Sequence, residues 1–126
     1  MSEKYYICET CGNIVTKVED KNVPIMCCGG KMKELVPGTV DAALEKHTPI
    51  VKIDGNKVTV KIGEVEHPMT EEHYNQWIAL YTDKGYQMRK LNPNDKPEAV
   101  FYIQEGEKVQ EVYEYCNLHG LWKTAL

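Results

Sequence analysis

The stretch Thr48-Pro-Ile-Val-Lys-Ile-Asp-Gly-Asn-Lys-Val-Thr-Val-Lys-Ile62 decides the fold class of this 126-residue chain. Residues Lys57–Ile62 alternate polar and apolar side chains, the period of two that lets a strand bury one face and wet the other. Asp54-Gly55-Asn56 is a turn signal, because Gly and Asn accept the positive φ of a tight hairpin, and Thr48–Ile53 reads as the partner strand. The same pattern repeats outward. Gln76–Thr82 and Tyr86–Leu91 flank Asp83-Lys84-Gly85, and Glu98–Ile103 and Val109–Tyr115 flank Gln104-Glu-Gly106, a second and a third predicted hairpin. Helical signal is poor: the one candidate is Thr70-Glu-Glu-His-Tyr-Asn75, where Thr70 would cap a single turn. Five or six short strands with regular turns predict an antiparallel sandwich or barrel.

Composition sets the limits of function. Apolar residues make up 42% of the chain and charged residues 27%, which is globular rather than disordered. The net charge is −4, so no basic excess exists to neutralise phosphates, and a general nucleic-acid surface is excluded. No apolar run approaches the roughly 20 residues of a membrane span. The N-terminal residues lack the apolar core of a signal peptide, so the expected compartment is the cytoplasm. A mainly β chain of this size fits one domain or two small ones. The expected boundary lies near Val36-Pro37-Gly38, giving residues 1–36 and residues 37–126. Basic and acidic residues balance in residues 1–36, so the net charge falls on the second segment. Thirty-six residues are too few to hold themselves together by apolar burial and need a disulfide, a metal or a partner chain.

Five cysteines and four histidines carry the chemistry. Cys8 and Cys11 are two residues apart with Gly12 behind them, the spacing of a metal-gripping turn. The vicinal pair Cys27-Cys28, followed by Gly29-Gly30, completes a four-thiolate set. Zinc and iron both suit four sulfurs, and the spacing does not choose between them. A reducing compartment disfavours disulfides among these residues.

The second set is His47, His67, His73 and the pair Cys116 and His119, the last two spaced like a metal hairpin next to Gly120. A single histidine is ordinarily a surface or core residue. His47 precedes a predicted strand, His67 and His73 bracket a loop and His119 follows the last predicted strand, and loops at the end of a sandwich cluster in space. Four imidazoles and a thiolate are one ligand too many for structural zinc and are poor partners for calcium or magnesium, which want oxygen. They suit iron or copper. With the imidazoles in a plane and the thiolate axial, a sixth position would stay open, as in a haem-thiolate site with histidines in place of the porphyrin.

The chain resembles the desulfoferrodoxin family, the two-iron class of superoxide reductase. The motifs that carry the resemblance run end to end: Cys8-x2-Cys11-Gly-Asn-Ile-Val, Cys27-Cys28-Gly, Glu45-Lys46-His47-x-Pro49, Val65-x-His67-Pro68-Met69-x3-His73-x3-Trp77-Ile78, and Cys116-Asn-x-His119-Gly120-x-Trp122-Lys123. The resemblance implies a desulforedoxin-like module over 1–36 with iron in Cys8, Cys11, Cys27 and Cys28. It implies an immunoglobulin-like β-sandwich over 37–126 with a second iron held by His47, His67, His73 and His119 in a plane and Cys116 axial. It further implies one-electron reduction of superoxide to hydrogen peroxide without dioxygen release, which is a detoxifying oxidoreductase activity under oxidative stress. A homodimer and electrons from a rubredoxin-like donor belong to the same expectation.

Lys46, beside His47, is placed to attract the anionic substrate, and the resemblance implies that the Glu45 carboxylate caps the oxidised metal. Met69, Trp77, Trp122 and most tyrosines read as packing residues, and Pro49 and Pro68 as loop-fixing ones. The alternative is a non-enzymatic two-iron electron carrier, and a zinc-binding structural module is a further rival.

Overall fold

The structure is a computed structural model that describes residues 3–38, 47–64 and 67–126. The β-strands among the described residues pair antiparallel, and the chain divides into two compact units, Met1–Val36 and Pro37–Leu126.

The first unit is built from β1 (Tyr5–Ile7), β2 (Ile14–Thr16), β3 (Met26–Cys27), β4 (Gly30–Lys31) and β5 (Lys33–Leu35). Three of these form a small sheet in the order β2-β1-β5, and β3 pairs with β4 in a two-stranded hairpin. Its buried apolar residues are Tyr5, Cys8 and Met32, whereas Val18, Val23 and Met26 are exposed. The apolar core is therefore very small.

The second unit is a β-sandwich. One sheet has the order β10-β7-β6 and the other β12-β11-β8-β9, with β6 (Pro49–Asp54), β7 (Lys57–Ile62), β8 (Asn75–Thr82), β9 (Gly85–Lys90), β10 (Glu98–Tyr102), β11 (Val109–Cys116) and β12 (Gly120–Ala125). The alternation in Lys57–Ile62 has the expected consequence: Val58, Val60 and Ile62 are wholly buried in one core with Phe101 of the neighbouring strand and Ile78, Leu80 and Val112 of the facing sheet. On the other face of the four-stranded sheet, Trp77 stacks on Tyr115, and Tyr81 meets Tyr86 and Tyr113. Cross-strand aromatic pairs of this kind stabilise a sheet beyond area burial alone.

The first two predicted hairpins are present, as β6-β7 and β8-β9. The third is not. β10 pairs with β7 and β11 pairs with β8, so Gln104-Glu-Gly106 carries the chain from one sheet to the other instead of closing a hairpin. Turn residues signal a reversal but not which sheet the next strand joins. The second unit has one strand beyond those expected: β12 follows His119, which therefore sits in a β11-β12 turn and not after the last strand. Thr70 makes a local turn rather than a helix, with its Oγ1 accepting the His73 N–H at 3.1 Å.

Antiparallel alternation places the chemistry. β6, β8 and β12 begin, and β7 and β11 end, at the same end of the sandwich: Pro49 pairs with Ile62, and Cys116 pairs with both Asn75 and Gly120.

Candidate metal centres

The N-terminal cysteines are brought together by two tight turns. Around Cys8 and Cys11, the Gly12 N–H donates to the Cys8 carbonyl at 2.8 Å and the Cys8 N–H to the Asn13 carbonyl at 2.9 Å. Gly12 takes φ +86° to allow it. The vicinal pair is explained by β3-β4. Cys27 ends β3, and Cys28-Gly29 is the two-residue loop, with φ +52° and +77°, the two positive values a type I′ hairpin requires. In an extended strand, neighbouring side chains point apart; the left-handed backbone at Cys28 turns its side chain back toward that of Cys27, leaving the two sulfurs 3.9 Å apart.

Cys11 Sγ lies 3.6 Å from Cys27 Sγ, and all four sulfurs are within 4.8 Å of one another. A tetrahedral metal with bonds of about 2.3 Å to sulfur has sulfur–sulfur edges of about 3.8 Å, so the group fits one four-coordinate metal. The thiols already interact. The Cys11 and Thr10 N–H groups draw the Cys8 thiol down to about 6, while hydrogen bonding with the Cys8, Cys11 and Cys27 sulfurs pushes Cys28 up to about 12. The five cysteines of the chain are free thiols.

The second group stands at the end of the sandwich. Ring centroids of His47 and His67 are 4.6 Å apart, His67 and His73 4.8 Å, His73 and His119 4.9 Å, and His119 and His47 4.9 Å. Interplanar angles of 69° to 80° set each ring edge-on to the next. Four imidazoles thus close a square.

Cys116 belongs to both halves of it: ligand atoms of His47, His67 and Cys116, and of His73, Cys116 and His119, lie within 4.8 Å of one another. Gathering nitrogens and a sulfur this closely is the arrangement of a metal site, and the donor set fits iron or copper.

Neighbouring groups orient the rings. The His67 Nδ1 is 2.6 Å from the Pro68 carbonyl, which makes it the protonated nitrogen and Nε2 the lone-pair one. Trp122 stacks on His47 at 5.0 Å, and its Nε1–H donates to the His119 carbonyl at 3.0 Å. Burial pushes the Cys116 thiol above its ordinary value; N–H groups of Leu118 and His119, hydrogen-bonded to the sulfur, pull the other way. These two N–H groups are the kind that tune a thiolate ligand.

The nine cysteines and histidines singled out in the sequence thus lie in two groups, each close enough to share one metal. Glu45 and Lys46, and Val65 of the His67 motif, lie outside the described residues. Met69 packs against the core and accepts the Asn75 N–H on its sulfur at 3.4 Å, as a packing residue should.

Sequence reading missed Glu114. It is wholly buried, with Oε1 3.7 Å from His47 Nδ1, and burial pushes its carboxyl well above the ordinary carboxylate range. The signal was available: in Val109–Cys116 the phase of two that turns Val112 and Cys116 inward turns Glu114 inward as well.

The fold and the two donor groups define a class: an all-β protein with a four-thiolate centre in one small unit and a histidine–thiolate centre at the end of a sandwich. The Desulfoferrodoxin family profile matches residues 39–125. A desulfoferrodoxin of Syntrophotalea carbinolica is 45% identical over 126 residues, covering 98% of each chain. Among solved structures, the superoxide reductase of Treponema pallidum superposes with a TM-score of 0.83 at 36% identity, covering 98% of this chain and 99% of that one. The 1Fe superoxide reductase of Giardia intestinalis matches 65% of this chain and 97% of its own, with a TM-score of 0.57 at 35% identity. The chain belongs to the desulfoferrodoxin family.

Proposed function

We propose that the protein is a superoxide reductase: superoxide, one electron and two protons become hydrogen peroxide, and no dioxygen is made. The observation that carries this reading is the closed square of four imidazoles with the Cys116 thiolate in reach of both its halves. Iron is the cofactor, in keeping with the family and with donor sets that suit it. Residues 1–36 form the desulforedoxin-like module, with iron held by Cys8, Cys11, Cys27 and Cys28. Residues 37–126 are the reductase domain, where His47, His67, His73, His119 and Cys116 would hold the iron.

When bound there, ferrous iron supplies the electron. The chain's own residues do the rest. Lys46, next to His47 in sequence, concentrates the anion near the site. Hydrogen bonds from Leu118 and His119 to the Cys116 sulfur set how strongly the thiolate donates charge. All four histidines would be occupied in holding the metal, so none is left to serve as a general acid; the protons come from water that Lys46 helps to orient, and the Glu45 carboxylate would be a further ligand once product has left. Four thiolates would fill a tetrahedral metal in the N-terminal unit, so the sandwich site is the one where substrate would react.

The protein works as a cytoplasmic homodimer that receives electrons from a rubredoxin-like donor. Support for this is family membership, and no helix among the described residues is long and apolar enough to cross a membrane.

Azide titration of the oxidised iron-loaded protein tests the reading. Binding that shifts the visible absorption of the histidine centre is expected, since an enzyme site must admit a small anion. Unchanged spectra at saturating azide would favour the pure electron carrier.

A further inference from the structure

The four histidines are not held equally. His47 is stacked on Trp122, and His67 is bonded to the Pro68 carbonyl. His119 shares a short turn with Cys116, and Trp122 donates to its carbonyl. His73 lies on a connection between β7 and β8 whose local bonds, those between Thr70 and His73, close the turn on itself: the Thr70 N–H donates to the His73 carbonyl at 2.9 Å, and the His73 N–H returns to the Thr70 carbonyl at 3.2 Å. Those bonds shape the turn without fixing where it stands relative to the sulfur.

Asn117 supplies three bonds that do. Its Oδ1 accepts the Tyr74 N–H at 2.9 Å, its Nδ2 donates to the Glu72 carbonyl at 2.9 Å, and its own N–H donates to the Tyr74 carbonyl at 3.2 Å. Glu72 and Tyr74 flank His73, and Asn117 directly follows Cys116. One side chain thus grips the backbone on both sides of a histidine more than 40 residues away in sequence, while its own backbone is bonded covalently to the thiolate residue. An asparagine amide is suited to this, because it offers an acceptor and a donor in one plane to two successive peptides.

We propose that Asn117 is the positioning residue that sets His73 against Cys116. This rests on the proposed reading that His73 and Cys116 hold one metal. Asn117 touches neither substrate nor metal; it acts through His73. Leucine has nearly the same volume and removes both side-chain bonds. Aspartate keeps the acceptor for Tyr74 and turns the donor into an oxygen facing the Glu72 carbonyl.

The test uses iron-loaded full-length protein and follows ferrous iron passing from the histidine centre to a chromogenic chelator, together with the visible spectrum. Asn117→Leu is expected to release this iron about tenfold faster or more, the scale at which outer groups act on a metal site. Asn117→Asp is expected to fall between it and the parent. A general loosening of the fold would give the same acceleration whatever His73 is, so the cycle is completed in a His73→Ala background, where the Asn117 substitutions should add nothing further.

Equal release from Asn117→Leu and the parent would overturn the proposal. So would the same acceleration in the His73→Ala background. If His73→Ala alone leaves iron content and spectrum unchanged, the ligand reading itself has failed and the inference falls with it. If Asn117→Leu does not fold, the intermediate or parental behaviour of Asn117→Asp decides the matter.

Discussion

The two centres are built in opposite ways. In the N-terminal unit the ligands are close in sequence and the backbone turns that carry them are local: Cys8 to Cys11 about Gly12, Cys27-Cys28 on a type I′ loop. The apolar core around them amounts to Tyr5, Cys8 and Met32. In the C-terminal unit the ligands come from four places along the chain and are gathered only because antiparallel strands return to the same end of a well-filled sandwich. On the proposed reading, metal would hold the first fold together, whereas the second fold would hold the metal.

The strongest way to break this comparison is to remove iron from both units. Where binding and folding are one process, losing the metal is losing the fold. Amides of β1, β2 and β5 are expected to lose their protection from hydrogen exchange in the metal-free protein, while those of β7, β8 and β11 keep theirs. Retained protection in the N-terminal sheet would show that its small core suffices.

The converse experiment damages the sandwich core. Leu80 is wholly buried among Val58, Val60, Ile78 and Val112, so Leu80→Ala should cost the C-terminal unit about 2–5 kcal/mol in denaturant unfolding. The N-terminal unit should be unaffected.

Chemistry separates the units as well. Cys11→Ser is expected to abolish the iron of the N-terminal unit and leave the rate of superoxide consumption unchanged, measured on protein whose sandwich iron is fully reduced. A large loss of rate in a folded variant would make the thiolate centre an obligatory relay.

Smaller effects sharpen the account of the N-terminal turns. A methyl group at Gly29 would meet open space, so Gly29→Ala should destabilise only through its φ of +77°, by about 1 kcal/mol, read as faster exchange in β3 and β4. Least of all, the Asn22 N–H and Lys17 hold the exposed Asp20 carboxyl below its ordinary 3.8. The stabilisation this brings is complete above that value and is lost as pH falls through the lowered one. Asp20→Asn should therefore narrow the difference between neutral and acidic stability, as measured by acid titration of the two proteins side by side.

What the chain disclosed in advance follows from the same contrast. Period-two strands such as Lys57–Ile62 and the Asp54-Gly55-Asn56 turn are local features, and they were legible. So were the nine cysteines and histidines that the fold gathers, because residue type and motif mark them wherever they fall. The path of β10 to β11 was not legible, since turn residues do not say which sheet receives the next strand. β12 was overlooked because Gly120–Ala125 is short and mixes Leu121 and Trp122 with Lys123 and Thr124. Glu114 and Asn117 escaped notice for different reasons. The inward phase of β11 does predict Glu114, once a buried acid is taken seriously, but the three bonds of Asn117 span more than 40 residues and exist only in the folded chain.

The central claim is that the histidine–cysteine centre reduces superoxide without oxidising it. The direct measurement mixes fully reduced protein with superoxide and counts both products. The account predicts one hydrogen peroxide for each superoxide consumed and no dioxygen. Dioxygen released at half the superoxide consumed would contradict it and make the protein a dismutase.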